Sequence, residues 1–128
     1  MPRHQETFRV MWADTDASGR IYFAAIFRWV EAVETGLFRA LGTDIFTTGQ
    51  LPRVHVEADY RLPLRFDDQV ELEMTVAKLG TSSLGFQWVG RRDDQVAFEG
   101  SHTIVFIGED GVSAPIPSRE RGLLDPAA

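Results

Sequence analysis

Two aspartates lie in one polar segment, Asp14-Thr15-Asp16-Ala17-Ser18-Gly19-Arg20, immediately before the longest helical pattern in the chain. The first turn of a helix presents unpaired backbone N–H groups and the positive end of the helix dipole. Such donors can polarise a substrate carbonyl, while a carboxylate a few residues upstream attacks that carbonyl or deprotonates a water. Because Gly19 allows the segment to bend, its residue types and spacing are compatible with a hydrolytic site.

Two other roles fit the same segment. Asp14, Asp16 or Ser18 could simply cap the helix, and on side-chain chemistry alone this structural role is favoured. The segment also matches the first half of a calcium-binding EF-hand loop, with Gly19 at the sixth place. The twelfth place requires a bidentate glutamate and is occupied by Ala25, so we expect no calcium site.

Other nucleophile and metal chemistries have little support in the sequence. The absence of cysteine excludes disulfides, thiolate metal sites and cysteine nucleophiles. No serine lies in a G-x-S-x-G motif, so a serine triad is not predicted. We expect His4 in a disordered terminus, His55 on the polar face of a strand, and His102 half-buried with one hydrogen bond. The sequence therefore predicts neither a metal ion nor a cofactor.

One long helix and five strands are predicted to position the acidic segment. The first strand is predicted over residues 6–12, and the helix over residues 23–41, where apolar residues recur every three or four positions. Four strands are predicted after residue 51, with turns at Asp67-Asp68, near Gly80 and at Asp93-Asp94, and a short tail helix before a frayed end. Short turns require antiparallel pairing, which gives an α+β fold. We predict a single domain over residues 1–128.

Composition and charge exclude several classes of protein. The net charge of -6 argues against a nucleic-acid-binding protein, which usually needs a basic surface. No apolar run approaches the roughly 18–20 residues that cross a bilayer, so no membrane association is predicted. The first six residues lack the apolar stretch of a signal peptide. We therefore expect a cytoplasmic location.

Residues 12–42, WADTDASGRIYFAAIFRWVEAVETGLFRALG, resemble the signature of the hotdog-fold thioesterases of the 4-hydroxybenzoyl-CoA thioesterase type, which include the YbgC-like acyl-CoA thioesterases. The family pattern is a strand, the motif D-x-D-x-x-G, a small apolar group with an aromatic residue, and a long central helix. Its positions are held here by Asp14, Asp16, Gly19, Ile21, Tyr22 and Phe23. The segment ADYRLPLRFDDQVELEMTV is also similar, and the resemblance extends over nearly the whole chain.

The resemblance implies a hotdog fold, in which a five-stranded antiparallel sheet wraps around one long central helix. It assigns the catalytic carboxylate to Asp16, acting as nucleophile or general base, and the N–H that polarises the thioester carbonyl to Phe23. Ile21, Tyr22 and Phe27 are expected to line the acyl pocket. Family members form dimers and commonly tetramers with active sites at the subunit interface, which implies a homodimer or homotetramer.

The implied activity is that of an acyl-CoA thioesterase, which hydrolyses an acyl- or aroyl-CoA thioester to the free acid and coenzyme A. One alternative is an acyl-carrier-protein thioesterase, although an acidic enzyme matches an acidic carrier protein poorly. The other is a non-catalytic hotdog module that binds an acyl thioester, and the aspartate at the catalytic place favours the enzyme over it.

Three positions depart from the pattern of many relatives. Ala25-Ile26 stand where relatives have Asn-Tyr, and Glu34 stands where they have an arginine. Gly80-Thr81-Ser82 stand where some relatives have basic residues that meet the phosphates of coenzyme A. The remaining candidates for that contact are Arg53, Arg61, Arg65, Arg91 and Arg92.

Overall fold

The helices and strands follow one another in the predicted order. The computed structural model describes residues 1–125, so part of the predicted frayed end lies outside the described residues. The strands are β1 (Arg3–Arg9), β2 (Arg53–Tyr60), β3 (Gln69–Leu79), β4 (Ser83–Arg92) and β5 (Gln95–Val105). The helices are α1 (Ala25–Leu41), α2 (Ile45–Thr48), which was not predicted, and α3 (Ser118–Leu124), which is the predicted tail helix.

The five strands form one antiparallel sheet in the order β1-β3-β4-β5-β2, so β1 and β2 are its edges. Asp93-Asp94 joins β4 to β5, and both residues have positive φ angles of 50° and 64°. Positive φ at both central residues is the feature of the two-residue turns that match strand twist. The turn predicted at this position is therefore confirmed.

Helix α1 packs its apolar face against the sheet, as the hotdog fold requires. Its buried apolar side chains join those of β3, β4 and β5 in one hydrophobic core. A Cβ atom at Gly36 would overlap the side chains of His4 and Glu6, so the glycine allows α1 to approach β1 closely. Gly42 ends the helix with φ 84°, the left-handed conformation that glycine adopts readily at a helix C-cap. In the part of the chain that the structure describes, no helix is long and apolar enough to span a membrane.

The start of the chain differs from the prediction. Strand β1 ends earlier than expected because Trp12–Asp14 forms a single 3-10 turn, in which the Asp14 carboxylate accepts a hydrogen bond from the Met11 N–H at 2.8 Å. The prediction of a disordered His4 is wrong. His4 lies in β1, and its Nε2 is 3.0 Å from Oε2 of Glu6.

Strand β2 contains a bulge that its alternating pattern did not indicate. Simple alternation places Val54 and Val56 on one face of the strand and Arg53 on the other. The register with β5 shifts between Arg53 and His55, which leaves Val54 as the extra residue. The bulge therefore turns Arg53 to the face of Val56, and its guanidinium reaches α1.

Candidate active site

The Asp16 carboxylate is exposed and held by its own loop. Its Oδ1 accepts hydrogen bonds from the Ser18 hydroxyl at 2.6 Å and the Ser18 N–H at 2.8 Å. These two bonds, the hydroxyl bond first, hold the pKa of Asp16 below its usual range. No hydrogen bond within residues 1–125 occupies Oδ2. Asp16 therefore presents an ionised carboxylate with one unshared oxygen.

The neighbouring Asp14 has the opposite environment. It is fully buried, one carboxylate oxygen accepts the Met11 N–H, and the other is paired with the Arg28 guanidinium on α1. Its carbonyl oxygen accepts the Tyr22 N–H at 3.0 Å. Asp14 thus ties the acidic loop to the start of the helix, and its carboxylate is already saturated with donors.

None of the three candidate capping residues caps α1. Asp14 bonds to the Met11 N–H and to the Arg28 side chain, Asp16 bonds to Ser18, and within the described residues no side chain accepts a hydrogen bond from a backbone N–H in the first turn of the helix. The helix also begins at Ala25, later than the predicted start at Phe23, which lies in the turn that leads into it. The alternative in which the acidic residues simply cap the helix is therefore wrong.

The backbone around Phe23 retains unused donors. Within the described residues, neither the Phe23 N–H nor the Ala24 N–H makes a hydrogen bond. The Phe23 carbonyl accepts a hydrogen bond from the hydroxyl of Tyr60 on β2. Burial raises the pKa of Tyr60, so its hydroxyl stays protonated and able to donate. Tyr60 was not predicted as a site residue, although it lies on the apolar face of its strand.

Asp16 and Phe23 line the same cavity of about 510 Å³. Its other lining residues are Arg20, Ile21, Tyr60, Arg61, Leu62, Pro63 and Leu64. Of the residues predicted to line the acyl pocket, only Ile21 borders this cavity. Phe27 lines a second cavity of about 330 Å³ between α1 and β2, and Tyr22 borders neither.

A larger cavity of about 770 Å³ is lined by residues of β1 and α1 and by the stacked rings of Trp12 and Phe66, whose centroids are 3.8 Å apart. Its arginines are already paired, Arg9 with Asp67 and Arg28 with Asp14. It offers no carboxylate comparable to Asp16, so we assign the chemistry to the smaller cavity.

A buried polar cluster between α1 and β5 was missed in the sequence. Glu34 accepts hydrogen bonds from His102 Nε2 at 2.7 Å and from Arg53 at 2.5 Å, and Trp88 Nε1–H donates to His102 Nδ1 at 3.0 Å. The prediction for His102 is wrong, because it is 2% exposed and makes two hydrogen bonds. One signal was available: Glu34 interrupts the apolar face of α1 between Val30 and Leu37.

The candidate phosphate-binding arginines fall into two groups. Arg53 is paired with Glu34, Arg61 with Asp59 and Glu99, and Arg92 with Asp68. In the described chain, Arg65 and Arg91 have no side-chain partner, and neither has Arg20, which lies beside Asp16 in the same cavity. Among residues 1–125, no group of three or more metal-ligating side chains is placed to hold an ion.

Comparison with known proteins identifies one family. The family model described as the thioesterase superfamily matches residues 18–98. A 1,4-dihydroxy-2-naphthoyl-CoA hydrolase from Prochlorococcus marinus is 34% identical in an alignment of 98 residues, and the match covers 67% of this chain and 63% of that protein. The match thus spans less than two thirds of the length of this relative.

Solved structures share the fold over nearly the whole chain. A 1,4-dihydroxy-2-naphthoyl-CoA thioesterase from Synechocystis superposes with a TM-score of 0.87 at 18% identity, covering 95% of both chains. A gentisyl-coenzyme A thioesterase superposes with a TM-score of 0.84 at 22% identity, covering 94% of this chain and 98% of that one. At these identities the likeness establishes the hotdog fold.

Proposed function

The chain belongs to the thioesterase superfamily, and we propose that it hydrolyses an acyl- or aroyl-CoA thioester to the free acid and coenzyme A. The observation that carries this proposal is the Asp16 carboxylate, which is ionised, has one unshared oxygen and shares a cavity with Phe23. The names of the relatives, each a hydrolase or thioesterase of a coenzyme A ester, support the same chemistry.

Asp16 acts on the thioester by one of two routes. As a general base, its Oδ2 takes a proton from water, the hydroxide adds to the carbonyl carbon, and the C–S bond breaks to release the thiolate, which takes up the proton. As a nucleophile, Oδ2 adds directly and displaces the thiolate, leaving a mixed anhydride that water hydrolyses. The lowered pKa keeps the carboxylate ionised, which both routes require.

The backbone N–H of Phe23 is the proposed oxyanion donor in either route. An unpaired amide at the entry to a helix can stabilise the negative charge that develops on the carbonyl oxygen. Tyr60 donates to the carbonyl oxygen of Phe23, which fixes the peptide that follows the Phe23 N–H and so restrains the backbone at the entry to the helix before the substrate binds. Ile21, which lines this cavity, and Phe27, which lines the cavity of about 330 Å³, are proposed to contact the acyl group, together with Tyr22, which lies between them in the chain. Arg20 lines the same cavity as Asp16 and has no side-chain partner among the described residues, and it is proposed to bind the coenzyme phosphates.

A turnover assay tests the proposed function directly. Acyl-CoAs of increasing chain length and a set of aroyl-CoAs are incubated with the protein, and the released thiol is measured. Turnover of at least one coenzyme A ester is expected. Hydrolysis only of acyl-carrier-protein thioesters would favour that alternative, and binding of acyl-CoA without thiol release would favour the non-catalytic module.

We also propose a single cytoplasmic domain that assembles as a homodimer or homotetramer. Support for assembly comes from β2, an edge strand with unpaired backbone groups and the exposed apolar residues Val54, Val56 and Tyr60. A second copy would cover this edge and lie beside the cavity that contains Asp16. Light scattering at micromolar concentration should give the mass of a dimer or tetramer, and a fully active monomer would contradict the proposal.

A further inference from the structure

The segments around Asp16 form a narrow three-stranded ribbon, made of residues 14–16, 20–22 and 64–65. Thr15 pairs with Ile21, and Arg20 pairs with Arg65, both in the antiparallel sense. The Asp16 N–H donates to the Arg20 carbonyl at 2.9 Å, so these two residues are opposite each other. Directly opposed side chains share a face. Asp16, Arg20 and Arg65 therefore lie in a row across one face of the ribbon.

That face of the ribbon is turned to solvent. Asp16, Arg20 and Arg65 are all exposed. On the opposite face, Leu64 is 1% exposed and Ile21 packs against the hydrophobic core. The burial thus agrees with the alternation of the ribbon, and the row of charged side chains is open to a ligand that lies across it.

Arg20 and Arg65 are unusually close for two residues of like charge. The ladder bond beside them runs from the Ile21 N–H to the Leu64 carbonyl at 3.0 Å, and the backbone N–H of each arginine is used elsewhere. Opposed residues with no hydrogen bond between them have Cα atoms about 4.5 Å apart. Like charges in this arrangement destabilise the pairing of the two segments.

No carboxylate in residues 1–125 neutralises this pair of guanidinium groups. Nearby acidic side chains are engaged by other arginines, since Arg61 is paired with Asp59 and Glu99, and Arg92 with Asp68. The repulsion between the two free arginines is therefore uncompensated in the protein alone. An anion bound between them would relieve it.

The chemistry of the pair fits a phosphate group. The planar fork of a guanidinium matches two oxygens of one phosphate, and its hydrogen bonds to an anion are stronger than those between neutral groups. Two such forks side by side match two linked phosphates. The diphosphate of coenzyme A is the group of this kind in the proposed substrate.

The distance from Asp16 also fits coenzyme A. Asp16 and Arg65 are two strand spacings apart, which is about 10 Å, and the arginine side chain extends further. The pantetheine arm from the sulfur to the diphosphate is comparable to four extended residues, or about 14 Å. A thioester whose sulfur lies beside Asp16 can therefore run across the ribbon and place its diphosphate at the two arginines.

We propose that Arg20 and Arg65 together bind the diphosphate of a coenzyme A thioester and select this ester over a pantetheine thioester. This inference rests on the proposed thioesterase function. It adds Arg65 to the site and gives the path of the pantetheine arm away from Asp16.

Substrates with and without the diphosphate test the pair. One acyl group is carried on coenzyme A, on dephospho-coenzyme A and on pantetheine, and kcat/KM is measured for each ester. Arg65→Gln should lower kcat/KM about tenfold for both coenzyme esters, mainly through KM, and much less for the pantetheine ester. The loss corresponds to one hydrogen bond to a charged group.

Arg3→Gln is the matched control. Arg3 is exposed and, in the described part of the chain, has no side-chain partner. It begins β1, whose other end contacts Asp67 near the ribbon, so it removes the same charge at a distance. All three kcat/KM values should be preserved in this variant.

Stability distinguishes a binding role for Arg65 from a structural one. Because the two arginines repel each other, Arg65→Gln should leave the Tm unchanged or raise it slightly. Arg65→Lys keeps the charge but not the planar fork, so it should recover only part of the lost kcat/KM for the coenzyme esters. A lower Tm in Arg65→Gln, with equal losses for all three esters, would make Arg65 structural and overturn the inference.

A further readout does not depend on turnover. Calorimetry measures the binding of coenzyme A and of pantetheine to the wild type and to each variant. Arg20→Gln and Arg65→Gln should each weaken coenzyme A about tenfold, whereas Arg3→Gln should not. Added salt should weaken coenzyme A more in the wild type than in Arg65→Gln, because exposed charges are screened.

The outcomes separate this inference from the proposed function. Hydrolysis of coenzyme A esters that is unaffected by Arg65→Gln overturns the inference alone, as does an effect that is absent with the dephospho-coenzyme A ester. An effect confined to acyl-carrier-protein thioesters would mean that the pair contacts a protein and would also overturn it. Coenzyme A binding that depends on Arg65, without hydrolysis of any thioester, overturns the proposed function but leaves the diphosphate site. Absence of both hydrolysis and coenzyme A binding overturns both.

Discussion

Asp16 and Glu34 are both carboxylates beside a cavity, but they differ in exposure and in how many of their oxygens accept hydrogen bonds. Asp16 is exposed, bonds only within its loop and keeps one oxygen free. Glu34 is buried, and each of its oxygens already accepts a hydrogen bond from a neighbouring side chain. A carboxylate must have a free oxygen to react, whereas a saturated one can only orient its partners. Their difference is the basis for proposing Asp16 as the reactive carboxylate and Glu34 as a carboxylate that only orients its partners.

Asp14 extends the comparison to two residues of one loop. It lies two positions before Asp16 in the same motif, yet it is buried and paired on both oxygens. The motif thus contains a buried carboxylate, Asp14, that holds the loop in place and an exposed carboxylate, Asp16, with one oxygen available. Substitution of Asp16 should therefore lower activity with little effect on stability, and substitution of Asp14 should mainly lower stability.

The largest effect is expected for Asp16→Asn. Asparagine keeps the shape and accepts the Ser18 hydrogen bonds, but it neither attacks nor accepts a proton at neutral pH. The kcat for the best acyl-CoA should fall at least roughly a hundredfold, while KM should change little because the cavity is unaltered. The Tm should stay within a few degrees, since the side chain is exposed. Near-wild-type kcat in a folded Asp16→Asn protein would remove Asp16 from the mechanism.

Asp14→Asn should give the converse result. An asparagine amide group would face either the Met11 N–H or Arg28, both of which are donors, so one hydrogen bond is lost. We expect a loss of about 2 kcal/mol in the free energy of unfolding, seen as a lower midpoint in urea. The exposed side of Arg28 can be rehydrated, which limits the loss. The kcat should fall less than in Asp16→Asn, and an equal or greater fall would make Asp14 part of the reaction.

The helices and strands could be predicted from the sequence because the patterns that indicate them involve residues close together in the chain. The apolar spacing of α1, the alternation in β3 and β5 and the aspartates at the Asp93-Asp94 turn each depend on neighbours in the chain. The pairing of β2 with β5 is not local, and neither the strand order nor the bulge at Arg53 could be predicted from alternation.

The candidate site could be predicted only in part, because only some of its residues lie close together in the chain. The pattern that singles out Asp16 and Phe23 lies within one loop and one helix start. Tyr60 reaches the site from a strand that is distant in sequence, so its contact with Phe23 depends on tertiary packing. Side-chain chemistry alone does not distinguish Asp14 from Asp16, and the burial of Asp14 is a property of the folded chain.

Tyr60→Phe tests how the helix entry is positioned. Removing the hydroxyl leaves the Phe23 carbonyl without its donor but keeps the ring packed. We expect kcat to fall about threefold to tenfold, the equivalent of one ordinary hydrogen bond, with KM nearly unchanged. A change in KM alone would indicate that Tyr60 binds substrate and does not position the backbone at the helix entry.

Ser18→Ala should have the smallest effect, a shift in the pH profile. The Ser18 hydroxyl is the main cause of the lowered pKa of Asp16, and the Ser18 N–H bond is the second. In the wild type the carboxylate therefore stays ionised to unusually low pH, and kcat/KM declines only below the usual aspartate range. Without the hydroxyl the pKa of Asp16 rises toward its ordinary value, so the acid limb of kcat/KM should move to higher pH.

The control for this shift is Ser18→Thr, which keeps a hydroxyl and should leave the acid limb near its wild-type position. Carbon NMR of the Asp16 carboxyl measures the same pKa without turnover, and the two values should move together. If the carboxyl pKa rises in Ser18→Ala while the acid limb stays fixed, another group controls the reaction at low pH. Asp16 would then resemble Asp14 and Glu34 in being structural, and the distinction between the reactive and the saturated carboxylates would fail.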